Sequence, residues 1–181
     1  MWMEALVGHQ QKMPEYRDCF DCKVSEQIAI SAPAQFSEIT RIWSDTNERL
    51  IPCLRHYESM YNVKMDYMEA INYVKYGRNQ HFQVHTDDGF SYTCTISSVM
   101  YLNDDYEGGE LIFPHFDLKF KPEAGDIVFF PSNFLFSHAS LPVQSGTKYS
   151  AVTMFDYDDT FHNKPQSYSP QAATRGVSAS Q

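Results

Sequence analysis

The sequence predicts a mainly β protein with an α component, a double-sheet jelly roll standing on supporting N-terminal helices. After residue 66 the apolar and aromatic residues fall into short alternating runs, the period of half-buried strands. Turn-forming residues separate nearly all of these runs at short spacing. Strands alternating with crossover helices, the mark of a parallel α/β sheet, are absent from the sequence. A chain of 181 residues has room for one domain with a core around a pocket and is too short for two of ordinary size. Its 43% hydrophobic and 15% aromatic content excludes disorder throughout.

Residues 1–33 read as an N-terminal extension of short strands or loops. Met1 to Met13 includes Glu4, His9 and Gln10 and lacks a basic start followed by a long apolar run, so no secretory signal is expected. No segment reaches membrane-spanning length, and a cytoplasmic location without membrane association is the expectation. Cys19, Cys22, Cys53 and Cys94 are too unevenly placed for a disulfide framework, which predicts reduced thiols. The pair Cys19-Phe-Asp-Cys22 is a weak zinc or redox signal, since no second pair and no thioredoxin-like βαβ pattern accompanies it.

Across residues 34–61, Phe36, Ile39, Ile42, Trp43, Leu50 and Leu54 recur at mostly helical spacing, with Pro52 expected to kink or split the helix. The jelly roll is assigned to residues 67–157. Its strands are predicted at 67–76, 82–86, 92–102, 110–113, 116–120, 126–131, 136–142 and 148–157. Turns are marked by Gly77-Arg78-Asn79-Gln80, Asn103-Asp104-Asp105 with Gly108-Gly109, Pro122 with Gly125, and Gln144-Ser145-Gly146. Residues 158–181 are polar and are expected to form a flexible tail.

Lys plus Arg total 14 against 23 Asp plus Glu, a net charge of -9, with no basic cluster. A duplex phosphate backbone is therefore excluded as a partner. The acidic balance accords with a neutral or basic partner such as a peptide, and equally with simple solubility.

His85-Thr86-Asp87 sets two metal-binding groups two residues apart. On a strand both project to one side while Thr86 points away. A third ligand from elsewhere would complete one face of an octahedron and leave positions open, as in non-haem iron(II) oxygenases. His138, in the apolar run Phe134-Leu-Phe-Ser-His138, is the best candidate. Taken alone, an HxD pair or a histidine on an apolar strand is also compatible with hydrogen-bonded core residues. Ten residues beyond His138, Lys148 heads the apolar strand Tyr-Ser-Ala-Val-Thr-Met-Phe. A buried ammonium there needs an anion. An organic diacid such as 2-oxoglutarate, chelating the metal at one end and meeting Lys148 at the other, satisfies both groups, with Ser150 adding a hydroxyl from the same strand face.

With Tyr76-Gly77 ahead of His85-Thr-Asp87, then Tyr101-Leu-Asn, Gly108-Gly109-Glu110, Phe113-Pro114, Gly125-Asp126, His138, Pro142-Val and Gly146-Thr-Lys148, residues 70–157 resemble a known family. It is the prolyl 4-hydroxylase branch of the 2-oxoglutarate and iron(II)-dependent dioxygenases, built on a double-stranded β-helix, or jelly roll. The resemblance implies iron(II) on His85, Asp87 and His138, the far carboxylate of 2-oxoglutarate on Lys148, and Tyr76 and Tyr101 lining the cosubstrate pocket. It implies dioxygen as the second cosubstrate, ascorbate as a reductant, and hydroxylation of a prolyl residue in a peptide or protein with release of succinate and carbon dioxide. Gly108 and Gly109 are read as shaping a turn. Three positions depart from the family pattern on the substrate side of the pocket: Cys94 stands where an arginine contacts substrate, Phe82 where a tyrosine is usual, and Met154 where a tryptophan is expected.

An apolar cup of residues such as Phe113, Phe129 and Phe130 is expected to keep water from the metal. Other readings of the same residues are an oxygenase acting on a free amino acid or other small molecule, and a non-catalytic metal-binding interaction module. The module needs a fourth protein ligand, for which His81 and His115 are the nearby spares.

Overall fold

The computed structural model describes residues 9–13, 15–31, 37–89 and 92–162. The elements are β1 (His9–Met13), β2 (Arg17–Val24), α1 (Glu26–Ser31), α2 (Ser37–Tyr61), β3 (Tyr67–Met68), β4 (Ile71–Tyr76), β5 (His81–His85) and β6 (Ile96–Tyr101). They continue with β7 (Glu107–Gly108), β8 (Leu111–Phe113), β9 (Leu118–Phe120), β10 (Ile127–Pro131), β11 (His138–Ser140), β12 (Val143–Ser145) and β13 (Lys148–Asp156). Short 3₁₀ turns occupy Pro114–Phe116 and Phe134–Phe136.

Eleven of the strands join one curled sheet in the order β10-β6-β13-β4-β2-β5-β11-β8-β9, with β1 on β2 and β3 on β13; β12 and β7 form a second sheet. The named pairs are all antiparallel. This is the jelly-roll architecture expected from the short strands and frequent turns. Each of the predicted strand segments contains a strand, and the run at 67–76 divides into β3 and β4. Within the predicted N-terminal extension, β2 pairs with both β4 and β5, which makes it part of the wall of the roll. The expected tail lies outside the described residues from residue 163 onward.

α2 buries Ile39, Thr46, Leu50, Leu54 and Glu58, a stripe at helical spacing that packs on the outer face of the sheet. Ile71 and Tyr73 of β4 and Phe155 of β13 meet it there. The Tyr73 hydroxyl donates to Thr46 Oγ1 at 2.8 Å, satisfying a polar group inside this core. Glu58, 7% exposed, pairs with Arg55 at 2.6 Å and accepts the Met65 N–H at 2.7 Å, so the chain turns out of the helix on a buried carboxylate. Pro52 lies inside α2 without dividing it, contrary to the expectation of a split. Proline removes one backbone hydrogen bond there, and burial of Leu50 and Leu54 on either side offsets that loss.

Because neighbouring strand residues face opposite ways, the same strands that cover the α2 core present a second face to an interior cavity. Val74 and Tyr76 of β4, Val99 and Tyr101 of β6, and Ser150 and Val152 of β13 line that cavity.

Candidate metal centre

β5 and β11 pair so that His85 lies directly opposite His138, with ring centroids 4.3 Å apart. β5 ends at His85, and Asp87 follows in the bend beyond it. Strand alternation therefore does not aim Asp87, and Thr86, expected to point away, also lines the cavity. Asp87 Oδ1 is 3.6 Å from His85 Nε2 and Asp87 Oδ2 is 3.8 Å from His138 Nε2. Among the described residues, His85, Asp87 and His138 are the one group whose ligand atoms converge, all within 4.8 Å.

Electrostatics and hydrogen bonding suit these three groups to a cation. His85 Nδ1 lies 2.7 Å from the Gln83 carbonyl and His138 Nδ1 3.1 Å from that of Phe136. A carbonyl only accepts, so each Nδ1 carries a proton, and each Nε2 faces Asp87 as the ring's metal-binding atom. Burial holds His138 below the ordinary histidine range, keeping the imidazole neutral. Burial acts to raise the Asp87 carboxyl, but its interactions with His85, His138 and Ser97 outweigh it and leave the group below its usual range. A neutral imidazole at His138 and an ionised carboxylate at Asp87 are the protonation states of metal ligands.

Aromatic rings surround the site. Phe82 stacks on His85 at 3.5 Å, Phe130 meets His138 edge-on at 4.7 Å, and Phe113 lies 5.8 Å from His138. Phe129, expected in the same apolar cup, instead packs at 5.4 Å against Tyr57 of α2. Its place next to Phe130 on β10 puts it on the opposite face of the sheet. His115 is exposed in its 3₁₀ turn, and neither it nor His81 joins the three ligand atoms.

The cavity behind the histidines measures ≈ 290 Å³. Lys148, 2% exposed, lines it and donates from Nζ to the Gly109 carbonyl and to Ser140 Oγ, both at 2.8 Å. The rings of Tyr101 and Tyr76 lie 5.1 and 5.5 Å from this Nζ. Burial pushes the Lys148 ammonium down to about 7. The buried Tyr101 hydroxyl lacks a partner, and Ser150, also buried, lines the same space. The cavity thus brings three side chains able to hold a metal together with a buried lysine.

Comparison with known proteins gives this geometry a lineage. Residues 71–156 match the 2OG-Fe(II) oxygenase superfamily. A protein provisionally named prolyl 4-hydroxylase, from Acanthamoeba polyphaga mimivirus, is 30% identical over 136 residues, which is 64% of this chain and 56% of that protein. The chain thus spans little more than half of that relative. Among solved structures, the viral collagen prolyl hydroxylase of Paramecium Bursaria Chlorella virus-1, in its 2OG complex, superposes with a TM-score of 0.58 at 23% identity. That match covers 79% of this chain and 81% of the viral enzyme. A Trichoplax adhaerens prolyl hydroxylase, solved with a hypoxia inducible factor peptide, gives a TM-score of 0.64 at 15% identity over 84% of this chain and 72% of its own. At these identities the structures establish the shared fold.

Two of the three residues that depart from the family pattern, Phe82 and Met154, line the cavity. Cys94 does not: it is buried ahead of β6, and its thiol, pushed up to about 12 by burial, lies beside Ser132. Sequence reasoning missed Tyr16, Arg17, Asn72 and Tyr92, all of which line the cavity. The run Arg17-Asp-Cys-Phe-Asp-Cys-Lys-Val24 alternates with the period of a strand, a signal obscured by its charges and by the distraction of the CxxC pair. Cys19 and Cys22 are both free and buried, in separate clusters of the core, and burial raises both thiols to about 11. High-pKa thiols on opposite faces of a strand make neither a metal site nor a redox pair.

Proposed function

We propose that this chain is a 2-oxoglutarate- and iron(II)-dependent dioxygenase that hydroxylates a prolyl residue of a peptide or protein, releasing succinate and carbon dioxide. One observation carries the reading: the converging atoms of His85, Asp87 and His138 share a cavity with the buried Lys148. The prolyl hydroxylases among its relatives and structural neighbours support the substrate class. Iron(II) held by the three side chains supplies dioxygen activation, coupled to oxidative decarboxylation of 2-oxoglutarate, with ascorbate as supporting reductant.

The chain's own residues orient and enclose. Gln83 and Phe136 carbonyls fix the imidazoles with Nε2 inward. Lys148 takes the far carboxylate of 2-oxoglutarate, where a charge-assisted hydrogen bond replaces weaker contacts to neutral oxygens. The orphaned Tyr101 hydroxyl and Ser150 provide further donors beside it. Phe82, Phe113 and Phe130 keep water from the ligands.

The test is succinate release from 2-oxoglutarate with added iron(II), with ascorbate present and absent, together with mass analysis of proline-rich peptides and free proline for a gained oxygen atom. His138→Ala is expected to abolish both iron binding and turnover. A wild type that binds no iron and consumes no cosubstrate contradicts the proposal, and oxygen gained by free proline but no peptide moves the substrate to the amino acid.

A further inference from the structure

Arg17 projects from β2, opposite Phe82 in the β2–β5 ladder, and lines the cavity. Its side chain is 17% exposed, and its guanidinium carbon sits 4.7 Å from the centroid of Phe82, the ring that stacks on His85. One side chain therefore separates this cation from a candidate iron ligand. A guanidinium has five N–H donors in a planar fork. Here Nη2 reaches Asp21 Oδ2 at a long 3.4 Å, the Tyr76 hydroxyl and Cys19 thiol take hydrogen bonds from the group, and Nε is buried without a partner. Asn72, also in the cavity wall, brings its amide nitrogen to the same Asp21 oxygen at 3.3 Å, while its own carbonyl oxygen is buried without a partner.

A mostly desolvated cation that keeps 17% of its side chain exposed in a cavity wall, with one donor of its fork unpartnered, is poised for an oxygen acceptor from a ligand. Charge decides which kind. Asp21 already neutralises Arg17, so a carboxylate arriving there would face a like charge, whereas a neutral carbonyl would not. Anion binding belongs instead to Lys148, whose partners among the hydrogen bonds are both neutral oxygens.

We infer that Arg17, held by Asp21 and flanked by Asn72, seats a neutral backbone carbonyl of the substrate beside the iron ligands, making it a specificity residue for peptides over free amino acids. The inference rests on the peptide hydroxylase reading above.

The test uses the full chain loaded with manganese(II) and 2-oxoglutarate, so that no turnover occurs. It follows the fluorescence anisotropy of a labelled, C-terminally amidated poly(L-proline) peptide, with free L-proline as competitor. Arg17→Gln is expected to weaken peptide binding by about tenfold or more while the affinity for 2-oxoglutarate stays within about twofold. Arg17→Lys, which keeps the charge and loses the fork, should weaken it by less, and it stands in where Arg17→Gln fails to fold. Asp21→Asn, which leaves the guanidinium uncompensated, should make free proline a better competitor relative to the amidated peptide. Peptide affinity unchanged in both Arg17 variants overturns the seat and leaves the hydroxylase reading intact. Parallel loss of peptide and 2-oxoglutarate affinity also overturns it, because Arg17 then acts through Tyr76 on the cosubstrate. Absence of peptide binding in the wild type removes the peptide reading itself, and the seat with it.

Discussion

Lys148 shows what a single residue carries in this protein. An unfolded chain protonates a lysine near 10.4, whereas burial brings Lys148 in the folded protein down to about 7. As pH falls through the window between these values, the unfolded state takes up a proton that the folded state refuses, so stability declines and then levels off below about 7. The linkage amounts to a penalty on the order of 5 kcal/mol at neutral pH. A carboxylate against Nζ restores the charged form. Cosubstrate binding at about pH 8 should therefore take up close to one proton, and at about pH 6 almost none, as read by calorimetry in buffers of different ionisation enthalpy. Replacing Lys148 with Met should raise the stability of the ligand-free protein at neutral pH by about 2 kcal/mol, since two orphaned acceptors take back part of the gain. The same variant should lose the thermal shift that 2-oxoglutarate gives the wild type. A Lys148→Met protein less stable than wild type would place a charged, well-compensated ammonium at this position.

At the scale of elements, close backbone approaches hold the site in shape. Gly108 has φ +73, and a Cβ there would lie 2.5 Å from the Pro142 carbonyl oxygen, where β7 meets β12. Gly108→Ala should cost about 3 kcal/mol in urea unfolding and loosen the adjacent Gly109 carbonyl that holds Lys148. Gly125 also has a positive φ, +96, but nothing lies within 4 Å of its would-be Cβ. Gly125→Ala should cost about 1 kcal/mol, the conformational part alone. In α2 the opposite change helps: Pro52→Ala restores a helical N–H at an exposed position and should stabilise by about 1 to 2 kcal/mol. These three variants separate steric contact, backbone conformation and hydrogen bonding as sources of stability.

For the whole molecule, the integration of β2 into the roll predicts its thiol chemistry. Cys19 and Cys22 are 0% and Cys94 5% exposed, while Cys53 is exposed on α2. One thiol should react rapidly with a disulfide reagent, and the other three only at the rate of global unfolding. Fast labelling of Cys19 or Cys22 would mean that β2 opens independently of the sheet. The strands at 71–76, 81–85 and 148–156 were legible because alternation of apolar and polar residues is a local property of a half-buried strand, and 96–101, buried at every position, because turn signals bound it. β2 reads only as part of an extension of short strands or loops because its cavity face carries Arg17 and Lys23, charges that a sequence reader assigns to solvent. β7 and β12 are too short for any period to register. The residue types and spacings of His85, Asp87, His138 and Lys148 were sufficient by themselves to propose a metal site and a diacid partner, because ligand chemistry and the demand of a buried ammonium for an anion are intrinsic to the side chains. Only the tertiary structure decided that His85 faces His138 across a ladder, that Phe129 turns to the helix while Phe130 turns to the site, and that Arg17 enters the cavity in place of Cys94. Those outcomes depend on strand register and on which strands become neighbours, and both are fixed by contacts between residues far apart in the chain.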